Sequence, residues 1–239
     1  MIKQDSINKE YSDYYFAFID ILGFKEIVKT KTCAEIIEIF EEAKKEYIVS
    51  ERKEEMDTPV IPSEEIHYYV MSDSICIFIR ENMKSALSIL SFICMYFQVR
   101  MLCLSTPVLV RGSIVKGKIY ADSNVLFGPA MVEAYVRSEK LAHVPRIILT
   151  ENLYEELSGT DGIILSGIAH LESDGFYALS YIDYFCRHNS TSQYRQKVQQ
   201  LIESTINASL DQTVREKYLY VKSWMDYHQR QKNSNDANA

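Results

Sequence analysis

The sequence lacks any run of apolar residues long enough to cross a membrane. Its most apolar helix-like run, Ala86 to Phe97, is too short to span a bilayer and is followed by Gln98 and Arg100. The first ten residues are polar, so no secretory signal peptide is evident. We therefore expect a cytoplasmic protein without a membrane-inserted segment.

Motifs for thiolate and zinc chemistry are also missing. The five cysteines show no CxxC spacing and mostly lie inside apolar runs, which predicts reduced core residues. No HxH or HxxxH spacing indicates zinc, so His67 is expected to be structural. The sequence contains neither a Walker loop nor a nucleophile elbow.

Positive charge is in deficit. Lysine and arginine number 26 against 33 aspartates and glutamates, and the net charge of −7 argues against a nucleic-acid or anionic-membrane partner. What remains is an ordinary globular composition, with 239 residues, 47% hydrophobic and 25% charged. The patterning predicts a polar leader at 1–13, an α+β domain at 14–186, a helical extension at 187–232 and a disordered tail at 233–239.

The stretch from Tyr14 to Phe24, YYFAFIDILGF, is predicted to be a buried strand that ends in a tight turn. Aromatic and β-branched residues lead into Asp20, and Gly23 breaks the run. An unpaired carboxylate at the end of a core strand costs several kcal/mol, so a cation or hydrogen bonds should neutralise Asp20. The alternative is that Asp20 only caps the turn or the next helix.

A second acid lies at the tip of a predicted hairpin. In Ile66 to Ile79, IHYYVMSDSICIFI, two apolar runs flank Asp73 within the polar triplet SDS. If the two strands are adjacent, Asp20 and Asp73 could lie about 4 Å apart, where repulsion is on the order of 4 kcal/mol at a dielectric of 20. Hard oxygen ligands of this kind suit Mg²⁺ or Mn²⁺.

The order of elements predicts how these acids meet. The first half of the chain is predicted to contain a helix from Thr32 to about Arg52, a loop from Lys53 to Glu65, a helix capped by Asn82 that runs to about Leu104, and a strand from Val108 to Tyr120. Together with the strand and hairpin above, this is the β-α-β-β-α-β order of a ferredoxin-like unit, with an antiparallel sheet and both helices on one face. Its first and third strands are neighbours, which brings Asp20 next to Asp73.

The second half is predicted to complete the core and add a helical region. The predicted elements are a helix from Phe127 to about His143, a strand from Arg146 to Thr150, a helix from Glu151 to Leu157, strands from Gly162 to Ser166 and Phe176 to Ile182, and one or two helices from Arg187 to Arg230. A sparse apolar stripe in the last region should dock on the core or on a partner.

These motifs resemble class III nucleotidyl cyclases. FIDILGF resembles the first metal-binding motif of that family, SDS at 72 to 74 stands where its second metal aspartate lies, VRGSIVKGKIY resembles its next strand, and EAYVRSE followed by PRIIL resembles its catalytic helix and the strand after it. The resemblance covers roughly residues 14 to 182. It implies a cyclase catalytic core as the fold.

The resemblance also implies roles for individual residues. Asp20 and Asp73 would bind two Mg²⁺ or Mn²⁺ ions per site, with the Ile21 carbonyl as a further ligand. The loop of Leu22, Gly23 and Phe24 would offer backbone N–H groups to a triphosphate. Arg137 would be the transition-state cation, or else a surface residue paired with Glu133 or Glu139. Arg146 would be an alternative phosphate-facing cation, or a structural partner of a carboxylate.

Two positions depart from the purine cyclases of this family. Tyr69 occupies the position of the base-reading lysine, four residues before Asp73, and Glu133 stands where the family has an asparagine, four before Arg137. The phenol, which both donates and accepts, favours a smaller base. Tyr69 could equally be an aromatic packed in the hairpin.

Together with the PRI run, the tyrosine resembles the pyrimidine cyclases of bacterial Pycsar anti-phage systems. That resemblance implies UTP, or CTP, as substrate, a homodimer with composite sites, and a separate effector for the cyclic nucleotide. A purine cyclase, an inactive cyclase-fold module that binds a nucleotide or a protein, and a polymerase-like palm remain the alternatives.

Overall fold

The protein folds as an α+β structure, as the sequence predicted. The computed structural model describes residues 10–44, 65–104, 106–159, 167–188, 193–209 and 211–237. The strands are β1 Ser12–Ile21, β2 His67–Met71, β3 Ser74–Arg80, β4 Val110–Ala121, β5 Leu126–Phe127, β6 Ile147–Leu149, β7 Ala169–Leu171 and β8 Tyr177–Leu179. The helices are α1 Phe24–Thr30, α2 Cys33–Lys44, α3 Ala86–Leu102, α4 Pro129–Lys140, α5 Glu151–Ser158, α6 Tyr181–His188, α7 Gln193–Ala208 and α8 Gln212–Ala237.

The central sheet has the strand order β2-β3-β1-β4-β6-β8-β7, with β5 paired to β4. Its first four strands pair antiparallel in the ferredoxin-like order. Strand β6 joins β4 in parallel, and β8 and β7 extend the sheet antiparallel. The prediction that the first and third strands are neighbours is confirmed.

Both faces of β1 are covered, which explains why its sequence is apolar without a break. Because side chains alternate along a strand, Tyr15, Ala17, Ile19 and Ile21 belong to the larger core cluster with α3. Tyr14, Phe16 and Phe18 point to the opposite face, where Ala130 and Ala134 of α4 are part of the cluster. Asp20 follows in the same alternation and therefore lies on the α4 face.

The C-terminal helices dock on the core. Val198, Ile202 and Ile206 of α7, with Val221 and Met225 of α8, are buried in the larger cluster. For Val198, Ile202, Ile206 and Val221 the predicted stripe therefore docks on the core, whereas Val214 of the same stripe is exposed.

Some boundaries differ from those predicted. Helix α3 begins after Ser85, which is its N-cap residue, so Asn82 is not the cap. Tyr181 and Ile182, predicted to end a strand, begin α6 instead. Phe127, predicted to begin a helix, lies in β5, and α4 begins at Pro129. Strands β5 and β7 and helix α1 were not anticipated. Helix α8 extends through Ala237, into the stretch predicted to be a tail.

Several predictions fall on residues outside the described ranges. They are the leader up to residue 9, the helix beyond Lys44, almost all of the loop 53–65 and the strand at 162–166. Within the described ranges, no helix is long and apolar enough to cross a membrane. All five cysteines are free thiols; Cys76, Cys94 and Cys186 are buried, whereas Cys33 is exposed at the start of α2 rather than in the core.

Candidate functional site

The candidate site forms where β1 ends between its two neighbours. In the sheet register Asp20 lies opposite Ser74 of β3 on one side and Arg111 of β4 on the other. The Asp20 side chain is 14% exposed, and Arg111 Nε donates a hydrogen bond to its Oδ2 at 2.9 Å. The expected cation for this carboxylate is therefore present, and it comes from the neighbouring strand.

The hairpin tip is tied to the same end of β1. Ile21 N–H donates to the main-chain oxygen of Asp73 at 2.9 Å, and Ser72 adopts a φ of 55° in the turn. The carboxylate charge of Asp73 contributes to raising the pKa of Asp20. The predicted strand order therefore brings the ends of β1 and of the β2–β3 hairpin together, while the roles of Asp20 and Asp73 as metal ligands stay a prediction.

A third acid reaches the cluster from helix α4. Arg111 Nη2 donates to Glu139 Oε1, so one guanidinium joins a strand carboxylate to a helix carboxylate. The phenol ring of Tyr135, one turn earlier on α4, packs edge-on against Phe18 with ring centroids 5.5 Å apart. These contacts fix α4 above the end of β1.

The electrostatics of the cluster favour a further cation. Burial raises the pKa of Asp20, Arg111 lowers it, and the charges of Asp73 and Glu139 raise it again. Three carboxylates against one guanidinium leave a formal charge of −2 when all are ionised. A divalent ion would balance that charge.

The donor set also fits a magnesium-like ion better than zinc. The described residues contain no group of three or more His, Cys, Asp or Glu side chains arranged to hold a metal. Mg²⁺ is typically held by one or two carboxylates together with substrate phosphates and water. Asp20 and Asp73 meet that requirement with carboxylate oxygens.

The turn after β1 carries part of the predicted phosphate loop. Gly23 has a φ of 75°, in the left-handed region that favours glycine, and it precedes α1. Leu22 N–H, however, donates to Leu109 O at 2.9 Å. This amide is therefore paired with the residue that precedes β4 and cannot also bind phosphate. The prediction for Leu22 is corrected, whereas the Gly23 and Phe24 amides remain candidates.

Arg137 lies on a different side of α4 from the acid cluster. Its Nε donates to Glu133 Oε1 at 2.8 Å, one turn earlier on the partly exposed helix surface. At 100° per residue, Arg137 and Glu139 project about 160° apart around the helix. The pairing with Glu133 that the sequence left open is observed, and Arg137 is not in contact with Asp20 of its own chain.

Arg146 occupies a structural position. Its side chain is 2% exposed and donates to Glu172 at 2.7 Å and to both oxygens of Asp174 at 3.0 and 2.6 Å. The guanidinium carbon also lies 5.2 Å from the Phe176 ring centroid. The structural alternative is the one observed, so the role of a phosphate-facing cation is corrected.

Tyr69 lies on β2 opposite Cys76, on the same sheet face as Asp20. Its ring is tilted against Phe78 with centroids 5.9 Å apart, and the side chain is only partly buried. Burial and the Asp122 charge raise the pKa of the Tyr69 phenol. His67, two residues earlier on this face, packs against Phe78 and Tyr14, as expected for a structural histidine.

An open apolar groove of about 670 Å³ runs along the N-terminal half of α4. Tyr11, Phe127, Pro129, Val132 and Val136 are among the residues that line it. Val132, Tyr135 and Val136 form an exposed apolar stripe on α4. Glu139 continues this stripe by helical spacing, so the groove and the acid cluster belong to neighbouring parts of one helix.

Sequence reasoning missed Arg111 and considered Glu139 only as a possible partner of Arg137. Arg111 precedes a glycine inside a strand and carries no motif of its own. The available signal was the register, because antiparallel pairing of the two predicted strands puts a β4 residue opposite Asp20, where a cation was already expected.

Comparison with known proteins gives likenesses among solved structures and none by sequence. No protein-family model and no curated protein matches the sequence. Among solved structures, the chain is similar to the catalytic core of a rhodopsin-guanylyl cyclase with converted specificity in complex with ATPalphaS. The TM-score is 0.48 and the identity 12%, over 71% of this chain and 95% of that chain. At this similarity the likeness assigns no role to any residue of this chain.

Proposed function

We propose that this protein is a nucleotidyl cyclase that converts a nucleoside triphosphate to its 3′,5′-cyclic monophosphate and pyrophosphate. The observation that carries the proposal is the convergence of Asp20 and Asp73 at the end of adjacent central strands, with a residual negative charge. The resemblance of FIDILGF and SDS to the metal-binding motifs of class III cyclases supports the same reaction.

In this proposal Asp20 and Asp73 hold two Mg²⁺ or Mn²⁺ ions, with the Ile21 carbonyl as an additional oxygen ligand. When bound, such ions lower the pKa of the ribose 3′-hydroxyl and neutralise the leaving pyrophosphate. The Gly23 and Phe24 amides at the start of α1 face the triphosphate. Sheet pairing on both sides of β1 keeps Asp20 in place and limits the reorganisation needed on binding.

We further propose that the substrate is UTP or CTP. Tyr69 stands at the position of the purine-reading lysine, and its partly buried phenol can both donate and accept a hydrogen bond. Glu133, on the accessible surface of α4, is the second candidate for contact with the base.

The active form is proposed to be a homodimer with composite sites. Arg137 points away from Asp20 of its own chain, so it can neutralise transition-state charge only at the site of a second copy. The exposed apolar stripe of α4 and the adjoining groove supply a surface for that second copy. The cyclic product would act as a second messenger in anti-phage defence, read by a separate effector in the cytoplasm.

The test is incubation of the purified protein with ATP, GTP, CTP and UTP in the presence of Mn²⁺. Cyclic monophosphate and pyrophosphate should form from UTP or CTP, and Asp20→Asn and Asp73→Asn should each abolish product while leaving the fold intact by circular dichroism. Cyclic AMP or cyclic GMP alone would refute the role of Tyr69 and identify a purine cyclase.

A second candidate is a cyclase-fold module that binds a nucleotide without turning it over. Two observations favour it: Arg111 already pairs with Asp20, and the Leu22 amide is committed to Leu109. Nucleotide binding without product from any triphosphate, over a range of Mn²⁺ and protein concentrations, would establish this alternative.

A further inference from the structure

The guanidinium of Arg111 is held between two carboxylates from different elements. Its Nε binds Asp20 Oδ2 and its Nη2 binds Glu139 Oε1. The side chains of Arg111 and Asp20 are 17% and 14% exposed, whereas that of Glu139 is 39% exposed. The bond to the strand carboxylate is therefore the more buried of the two, and the helix carboxylate has more freedom to move.

Arg111 and a divalent ion would compete for the same carboxylate. Within the described residues, Arg111 is the one hydrogen-bond donor to the Asp20 side chain. At an effective dielectric of 20, a positive charge about 5 Å from a divalent ion weakens binding of that ion by at least tenfold. Metal binding at Asp20 is therefore opposed while the guanidinium stays in place and is favoured when the guanidinium withdraws.

Glu139 gives the guanidinium a place to withdraw to. In the observed arrangement Nη1 of Arg111 makes no hydrogen bond to a described residue. Rotation toward α4 would let two guanidinium nitrogens bind both oxygens of Glu139, in the paired geometry that arginine and carboxylate favour. The cation would then remain neutralised after leaving Asp20.

We propose that Arg111 is a competing counter-charge for the divalent cation at Asp20, and that Glu139 is the acceptor that draws it away when metal binds. Resting on the proposed metal site, this makes Arg111 and Glu139 positioning residues that set metal affinity. The pair also links occupancy of the site to α4, because Glu139 belongs to that helix.

The test measures Mn²⁺ binding without nucleotide, by the loss of the free Mn²⁺ signal in electron paramagnetic resonance. Arg111→Met removes the competitor and should lower the Kd for Mn²⁺ at least tenfold. Glu139→Gln removes the acceptor and should raise the Kd about fivefold or more. In the double variant Arg111→Met/Glu139→Gln, the change in log Kd caused by Glu139→Gln should be less than half of the change it causes in the parent, because Arg111 is absent.

Glu81→Gln is the matched control. Glu81 also pairs with a basic side chain of β4, Lys116, at 2.8 Å, but it follows the far end of β3 from Asp20. Loss of this charge should leave the Kd within about twofold of the parent value, since the separation exceeds a Debye length.

The outcomes separate the inference from the proposed function. Mn²⁺ binding that needs Asp20 and Asp73 but is weakened or unchanged in Arg111→Met would overturn the competition while leaving the metal site standing. Equal effects of Glu139→Gln with and without Arg111 would also overturn it. Absence of Mn²⁺ binding in both the parent and Arg111→Met would overturn the inference. If binding is also absent with a non-hydrolysable nucleoside triphosphate present, the two-metal function is overturned as well. If Arg111→Met fails to fold, Arg111→Gln replaces it, and an unchanged Kd in Glu139→Gln alone overturns the proposal.

Discussion

Replacing Arg146 with methionine is expected to destabilise the protein by about 3 kcal/mol, because it leaves a buried carboxylate without its cation. Removing one partner of a buried ion pair costs roughly 3 to 5 kcal/mol. The lower end applies because Asp174 is 48% exposed and can be rehydrated, whereas Glu172 is 8% exposed. Glu172 would keep its hydrogen bond from the Tyr220 hydroxyl, at 2.5 Å.

Thermal and urea unfolding followed by circular dichroism measure this effect. For a chain of this size, about 3 kcal/mol corresponds to a Tm decrease of roughly 6 to 12 °C. Arg187→Met is the control. Among the residues that the structure describes, the exposed Arg187 makes only a 3.4 Å hydrogen bond to its own helix, so its loss should cost no more than about 0.5 kcal/mol. Adding Glu172→Gln to Arg146→Met should restore at least half of the lost stability.

A different result would change the role assigned to Arg146. If Arg146→Met kept the parent Tm within about 2 °C and lost turnover, the guanidinium would act on substrate phosphate. The structural role of the Arg146 ion pairs would then be refuted, and Arg146 would again be a candidate for the phosphate-facing cation.

Two further perturbations test the sheet around the site. Gly112→Ala should lower the free energy of unfolding by about 2 kcal/mol or more in chemical denaturation, because a Cβ there would lie 2.3 Å from the Phe18 carbonyl oxygen. Gly117→Ala should cost less, because its Cβ would meet only Ala130 Cβ, at 3.3 Å. Equal costs would contradict the close approach of β4 to β1. Burial lowers the pKa of His67, so the folded state binds fewer protons than the unfolded state just below pH 6.5, and stability should fall as the pH drops from 6.5 toward the folded-state pKa. NMR titration should place that pKa below 6.5 and His67→Gln should flatten the stability profile, whereas a value of 6.5 or higher would refute the desolvation of His67.

The central fold could be predicted because local signals and topology agree. The apolar run before Asp20, the hairpin around Asp73 and the strand starting near Val108 each have clear boundaries, and the β-α-β-β-α-β order allows few arrangements. The predicted boundary of an element was wrong where tertiary packing, rather than the local sequence, sets it. Tyr181 continues an apolar strand pattern in sequence but is buried as the first residue of α6, with its hydroxyl bound to Pro145 O at 2.9 Å.

The candidate site was predictable only in part, for a physical reason. Asp20 was identifiable because a charge at the end of an apolar strand is costly. The partners of charged residues are set by three-dimensional proximity, which sequence spacing reports only within a helix. Thus the Arg137 to Glu133 pair was foreseeable at four-residue spacing, whereas Arg111 to Asp20 spans 91 positions and Arg146 to Asp174 spans 28.

The charged residues around α4 divide into two sets that face different ways, and this division bears on assembly. Glu139 joins Arg111 and the acids of its own chain, while Arg137 and Glu133 lie about 160° and about 120° away around the helix. If the proposed cyclase function is correct, metal binding needs only the first set and can occur in a single chain. Turnover also needs the second set from another copy. Metal affinity should therefore be independent of protein concentration, whereas specific activity should rise with concentration as the dimer forms. Specific activity that stays constant on dilution well below the dimer dissociation constant would contradict a composite site.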